Sequence, residues 1–125
     1  MFKLHQKASP ATEAIEYVTA GAELAIGSLV GYSGGKVVAN TTAPEYVTLG
    51  KASNGETVAV KGIYEDEIYE TTLSASGSSL NVGDKVTVTA TQATATTASG
   101  IFEIIAMDGT TVGSKVRGLF RRLVH

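Results

Sequence analysis

A chain of 125 residues has the length of one domain, and its 43% apolar content is enough for a core, which excludes a chain disordered by composition. The net charge of −2 gives no general attraction to nucleic acid, so no nucleic-acid partner is expected. Cysteine is absent, which excludes disulfides, thiolate catalysis and cysteine-ligated zinc.

The first twelve residues are predicted to form a flexible arm outside the core, followed by a single β domain over residues 13–125. The arm mixes polar and apolar side chains, and Pro10 disfavours helix at Ser9. No apolar run of signal-peptide length follows its lysines, and no segment reaches the ~20 apolar residues of a membrane span. We therefore expect no membrane partner.

Short strands and glycine turns are predicted over residues 13–50. Apolar and polar residues alternate over residues 15–19, which favours a strand ending at Gly21 over the start of a helix. The run Ser33-Gly34-Gly35-Lys36 predicts a hairpin, because paired glycines accept positive φ. A further short strand is predicted over residues 46–50.

The stretch from Asn54 to Val88 has the clearest strand pattern and organises the rest of the chain. Turn glycines at Gly55 and Gly83 each precede valines that alternate with polar or small residues. The first of these strands is predicted to place Val58, Val60 and Gly62 on one face and Thr57, Ala59 and Lys61 on the other. The second is predicted to begin at Lys85 and end at Thr91.

The last third of the chain combines a small-residue segment with two apolar strands. Residues 90–99 are almost entirely Ala and Thr, and we expect them to form a long, exposed hairpin or edge that packs poorly. Residues 101–107 are predicted to be a strand, and Asp108-Gly109 a hairpin turn. The basic C-terminal segment fits a strand or an amphipathic helix; Gly118 favours the strand, and the end is left open between the two.

Strands spaced about 8–12 residues apart, with turns between them, predict an all-β domain. The expected architecture is a small antiparallel β-barrel or sandwich with short hairpins.

Candidate catalytic groups are few. The only histidines, His5 and His125, lie near the two ends of the chain, where a catalytic imidazole is poorly held. The densest acidic cluster suggests either a cation site, a general acid–base pair or a solvated loop, and the missing calcium-loop spacing favours the loop. Its members are Glu65, Asp66, Glu67 and Glu70. We therefore expect no enzyme activity, no catalytic residues, no metal and no cofactor.

Several motifs in order resemble a known family. They are residues 17–22 (YVTAGA), 27–31 (GSLVG), 55–65 (GETVAVKGIYE), 82–86 (VGDKV) and 115–117 (KVR). Together they resemble the capsid cement, or head decoration, proteins of tailed bacteriophages over residues 13–117. The sequence departs from that pattern in its longer, more charged arm and in its C-terminal extension over residues 118–125.

The resemblance implies a compact β domain that binds the outer surface of a phage head and stabilises it, without catalysis. The implied partners are the major capsid protein and further copies of the chain, as a trimer. The implied location is the capsid surface of the virion, after synthesis in the bacterial host cytoplasm. Within the arm, Phe2, Lys3 and Leu4 are the candidate capsid contacts, because an extended segment adds readily to an exposed sheet edge.

Two other functions remain as alternatives. One is a different small β-domain virion component, such as a head–tail adaptor or tail protein. The other is a carbohydrate-binding module, which needs exposed aromatic rings on one face. The tyrosines that qualify are Tyr32, Tyr46, Tyr64 and Tyr69.

Overall fold

The computed structural model describes residues 1–7 and 15–121, and this part of the chain contains ten β-strands and no helix. No helix there is long and apolar enough to cross a membrane. The strands are β1 (Lys3–Lys7), β2 (Ile15–Thr19), β3 (Leu29–Ser33), β4 (Lys36–Ala39), β5 (Tyr46–Thr48), β6 (Thr57–Gly62), β7 (Glu67–Thr72), β8 (Lys85–Val86), β9 (Phe102–Met107) and β10 (Lys115–Phe120).

The strands form two antiparallel sheets of five strands each, and the sheets are not closed into a barrel. The first sheet has the order β1-β7-β10-β9-β8, and the second has the order β2-β6-β5-β3-β4. The all-β prediction is therefore confirmed, and of its two architectures the sandwich is the one observed. Consecutive strands β6 and β7 belong to different sheets, so the stretch predicted to organise the chain contains a connection between the two layers.

The main core lies between the sheets and is built around aromatic rings. Phe2, Phe102 and Phe120 have ring centroids 5.0–5.6 Å apart, and Tyr69 packs edge-on against Phe120 at 5.4 Å. Branched aliphatic side chains from both sheets surround these rings, including Leu29, Val47, Ile104 and Val116. Such offset and edge-to-face ring pairs stabilise a core beyond the area they bury.

A second, smaller core lies on the opposite face of the second sheet. The second sheet curls so that its two edge strands, β2 and β4, approach each other. Ala20, just after β2, forms a parallel bridge with Val37 of β4, and Gly21 donates its N–H to the Val37 carbonyl at 2.8 Å. The curl encloses a separate cluster: Ala20, Leu24, Val30, Val37, Ala52, Val58 and Val60. The predicted face of Val58 and Val60 is therefore the concave face of the second sheet.

The N-terminal residues belong to the core, contrary to the predicted arm. Phe2 is only 1% exposed, and β1 pairs with β7 along the edge of the first sheet. The prediction of an arm outside the core is wrong for residues 1–7, because Phe2 and the half-buried Leu4 alternate with Lys3 as in a strand with one face buried. Residues 8–14, which include the predicted boundary at residue 12, lie outside the described residues.

The predicted turns at Gly34-Gly35 and Gly55 and the C-terminal strand are confirmed, but the turn predicted at Asp108-Gly109 is wrong: Asp108 still pairs with Lys115, and the chain reverses over residues 111–114, where Gly113 has a φ of 88°. Gly34 and Gly35, in the β3–β4 hairpin, have φ values of 61° and 81°, and Gly55, before β6, has a φ of 90°. Only glycine adopts such values without strain. Residues 115–120 form strand β10 rather than a helix, and residues 122–125 lie outside the described residues.

The Ala/Thr segment packs more closely than predicted. Thr94 donates its N–H to the Thr87 carbonyl at 3.0 Å, so the segment folds back on the end of β8. Ala93 is fully buried and forms bridges with Leu73 and Val88. The expected exposed hairpin is wrong at this point, because a small side chain allows the close approach that a large one would prevent. Strand β8 is correspondingly shorter than predicted.

Candidate functional site

A buried charged network connects the two sheets. Lys61 of β6 is 2% exposed and Glu67 of β7 is 4% exposed. Lys61 Nζ donates to Glu67 Oε2 and Oε1 at 2.6 and 2.7 Å and to Tyr69 Oη at 3.1 Å, and it also donates to the Gly62 carbonyl at 2.8 Å. Tyr69 Oη in turn donates to Glu67 Oε1 at 3.0 Å.

Every charged atom of this network has a partner, which is what makes a buried ion pair tolerable. The network is closed against solvent, so its role is structural. The alternation of β6 placed Lys61 on the face opposite the valines but did not reveal that this face is also buried. The sequence feature that could have indicated a buried partner for Lys61 is the acidic residue Glu67, which lies just across the short β6–β7 connection.

The acidic cluster is divided between three environments. Glu65 and Asp66 lie exposed in the β6–β7 turn, Glu67 lies in the core, and Glu70 lies on the outer face of the first sheet. The predicted solvated loop is therefore wrong for Glu67 and Glu70, which are both buried. Within residues 1–7 and 15–121, no group of three or more His, Asp or Glu side chains is placed to hold a metal ion.

Glu70 is the centre of a charged outer face on the first sheet. It lies opposite Lys3 in β1 and Arg117 in β10, so these three side chains share the face that points away from the core. Its carboxylate is 3.6 Å from His5 Nδ1, 3.8 Å from Lys115 Nζ and 4.0 Å from Arg117 Nε. Arg117 Nε is buried and has no hydrogen-bond partner within the described part of the chain.

The charged outer face is more basic than the rest of the molecule. Its five cations and three carboxylates are Lys3, Lys85, Lys115, Arg117 and Arg121, and Glu70, Glu103 and Asp108. The remaining described residues contain four Lys or Arg and eight Asp or Glu. A chain with net negative charge therefore has one face with an excess of cations.

A shallow cavity of about 180 Å³ lies at the β1 edge of this face. Lys3 and Lys115 are among its lining residues, with Glu70 and Thr72. Of the three candidate capsid contacts, Lys3 is the one on this outer face. Phe2 is buried in the core, and Leu4 is half-buried and packs partly against it.

An exposed apolar strip lies on the second sheet at its β2 edge. Tyr17 is 75% exposed and Ile15 is 50% exposed, and both are on the face of β2 that carries Ala59 and Lys61 in β6. Leu49, just beyond β5, donates its N–H to the Ala59 carbonyl at 2.8 Å and is also exposed. We call Ile15, Tyr17 and Leu49 the apolar strip.

Three of the four tyrosines named as candidate sugar contacts lie together on the concave side of the second sheet. Tyr32 and Tyr46 pack edge-to-face with ring centroids 5.8 Å apart. Tyr46 lies opposite Gly62, and the ring of Tyr64 lies 3.5–3.7 Å from the position that a Gly62 Cβ would occupy. We call Tyr32, Tyr46 and Tyr64 the tyrosine row; Tyr69 is fully buried in the main core and does not belong to it.

Tyr46 is the restrained member of the row. Burial and a hydrogen bond from its hydroxyl to the Glu16 carboxylate raise the pKa of Tyr46 to about 12. Glu16 is exposed on β2 and lies on the same face of the sheet, opposite Val60. The phenol is therefore protonated at physiological pH and can donate its hydrogen bond to Glu16.

The fold is a two-sheet antiparallel sandwich with an apolar core, a buried polar network between the sheets, and exposed charged and aromatic surfaces. No family model matches the chain, and no curated protein matches it. Among solved structures, the chain is similar to the N base of the head fibre gp8.5 of bacteriophage phi29. The TM-score is 0.66, and the alignment covers 91% of this chain and 100% of the other at 18% sequence identity. At that identity the likeness shows the fold alone.

Proposed function

We propose that this protein is a structural component of a phage head, a decoration protein that binds the outer surface of the assembled shell and stabilises it. The observation that supports this most is the fold, which is shared over the whole length of a head-fibre base. The order of motifs in the sequence points to the same class of virion protein. The proposed location is therefore the capsid surface.

The proposed partner is the major capsid protein, contacted through the charged outer face. This face is presented by a five-stranded sheet, and its excess of cations suits a shell surface rich in carboxylates. Charge complementarity of this kind favours one orientation of docking and suppresses others. Lys3 takes part as a member of this face.

The proposed oligomer is a trimer, with the apolar strip as the contact between copies. Exposed Ile, Tyr and Leu side chains grouped on one face near a sheet edge are typical of an interface rather than of a solvated surface. The strip lies on the second sheet, and the charged outer face lies on the first, so copies can associate without covering the shell contact.

Binding to shells is the direct test. Purified protein is added to mature shells that lack it, and binding is measured by co-sedimentation together with the melting temperature of the shells. We expect saturable binding at a constant ratio to capsid protein and a higher melting temperature. Protein that neither sediments with shells nor changes their melting would contradict the proposal.

The position of the bound protein separates this function from that of an adaptor or tail component. A gold-labelled protein viewed by electron microscopy should be distributed over the faces of the shell. Label confined to the vertex where the tail attaches would instead identify an adaptor.

A further inference from the structure

We propose that the tyrosine row binds carbohydrate, with pyranose rings packed on Tyr64 and Tyr32 and a sugar hydroxyl donated to Glu16. This site is on the second sheet, away from the charged outer face, and the inference does not depend on attachment to a shell.

The ring of Tyr64 lies beside Gly62 and is accessible. Gly62 has no side chain, and the hydroxyl end of Tyr64 lies in van der Waals range of the Cβ position there, at 3.5–3.7 Å. Tyr64 is nevertheless 55% exposed, so more than half of the side chain is accessible to a ligand. The face of an aromatic ring carries negative charge density, which attracts the slightly positive C–H groups on the flat side of a sugar.

The rest of the row provides a second ring and polar partners. Tyr32 is 45% exposed and is kept in place by its edge-to-face contact with Tyr46. Tyr46 is only partly exposed, and its hydroxyl is engaged with Glu16, so it orients the carboxylate beside the rings. A carboxylate accepts up to about four hydrogen bonds, and Glu16 is exposed, so it has capacity for sugar hydroxyls.

Sugar suits this site better than a cation does. Aromatic rings beside a carboxylate are also the chemistry of ammonium recognition. Here, however, the Lys61 ammonium already lies 5.4 Å from the centre of the Tyr64 ring. A second cation over the same ring would be repelled by it, whereas a neutral sugar would not.

The test uses the full chain with two defined oligosaccharides, cellohexaose and chitohexaose, and measures affinity by titration calorimetry. We expect at least one of them to bind. Tyr64→Ala and Tyr32→Ala should each weaken binding about tenfold, the equivalent of about 1.4 kcal/mol, and Tyr64→Phe should retain most of it, since the ring remains. Val112→Ala is the control: it removes an apolar side chain of similar exposure that lies outside the row and should leave binding unchanged.

The proposal is overturned if neither oligosaccharide binds the unmodified protein, or if a variant lacking both Tyr32 and Tyr64 binds as well as the parent while melting normally. Binding of tetramethylammonium in place of the sugars would also overturn it. Because no shell is used, none of these results bears on the decoration function.

Discussion

Single glycines show where the backbone leaves no room for a side chain. A Cβ at Gly100 would overlap the carbonyl group of Lys85, and a Cβ at Gly118 would meet the Glu103 carbonyl and the Phe102 ring. Neither residue has a positive φ, so it is space and not backbone conformation that requires glycine. In the sequence, Gly118 indicates only that a strand is favoured over a helix. In the structure, it also leaves room for the Glu103 carbonyl and the Phe102 ring.

We predict that Gly100→Ala destabilises the fold by about 1–3 kcal/mol or more, because the atom it meets is backbone and cannot turn aside. Gly50→Ala is the matched control, since nothing lies within 4 Å of its Cβ position. It should be neutral or slightly stabilising. Urea unfolding of both variants measures the difference, and equal effects would contradict the prediction.

The raised pKa of Tyr46 predicts a pH dependence at alkaline pH. A group whose pKa is higher in the folded state than its ordinary value of 10 contributes stability below pH 10. That contribution is lost as the pH rises toward the folded value of about 12. The stability of the parent relative to Tyr46→Phe should therefore fall between pH 10 and about pH 12. A difference that stays constant in urea unfolding over this range would be the contrary result.

At the scale of elements, strands β6 and β7 connect the sheets through the Lys61–Glu67 pair. Replacing Lys61 alone by Met leaves a buried carboxylate without its counter-ion, which should cost about 3–5 kcal/mol. The double variant Lys61→Met with Glu67→Leu should lose much less, because no buried charge remains unpaired. Chemical denaturation of the single and double variants measures the coupling, and strictly additive losses would show that the two side chains do not act as a pair.

Strands with local signals were predictable, and strands defined by distant partners were not. The alternation around Val58 and Val60 and the paired glycines at Gly34–Gly35 act over a few residues, so their strand and hairpin follow from the sequence. The burial of Phe2 depends on β7, which begins at Glu67, and no local pattern identifies that partner.

The grouping of residues on the surface also depends on pairing between strands that are distant in the sequence. Tyr32, Tyr46 and Tyr64 were recognisable as candidate sugar contacts by residue type, but their grouping depends on the pairing of β5 with β3 and β6.

The apolar strip is an edge-strand feature, and its prediction concerns association. Ile15→Lys places a charge within the proposed contact between copies, and it should convert the proposed trimer to monomer without unfolding it. Light scattering gives the mass, and thermal melting checks the fold. Val82→Lys, at an exposed apolar position outside the strip, should leave the mass unchanged. If the parent protein is itself monomeric in light scattering, the proposed contact between copies is wrong.

For the whole molecule, the separation of charge between the sheets predicts salt-sensitive attachment. Exposed charges are screened beyond about 8 Å at physiological salt, so binding to shells should weaken as salt is raised. Charge reversal at Lys115 and Arg117 should weaken it further, mainly through slower association. Lys36→Glu, on the β4 edge of the second sheet, is the control and should bind like the parent. Salt-independent binding with intact affinity in the double variant would place the contact elsewhere.

The pairing of the earliest strands with much later ones has a consequence for biosynthesis. β1 and β2 leave the ribosome first, yet β1 is completed only by β7, and β2 only by β6. Both segments remain without their partner strands until β6 and β7 have been synthesised, because β2 pairs with β6 and β1 pairs with β7. The second sheet has all its strands once Gly62 is translated, whereas β1 gains its partner only after Thr72, so chains truncated between these residues should be retained by chaperones with β1 unpaired.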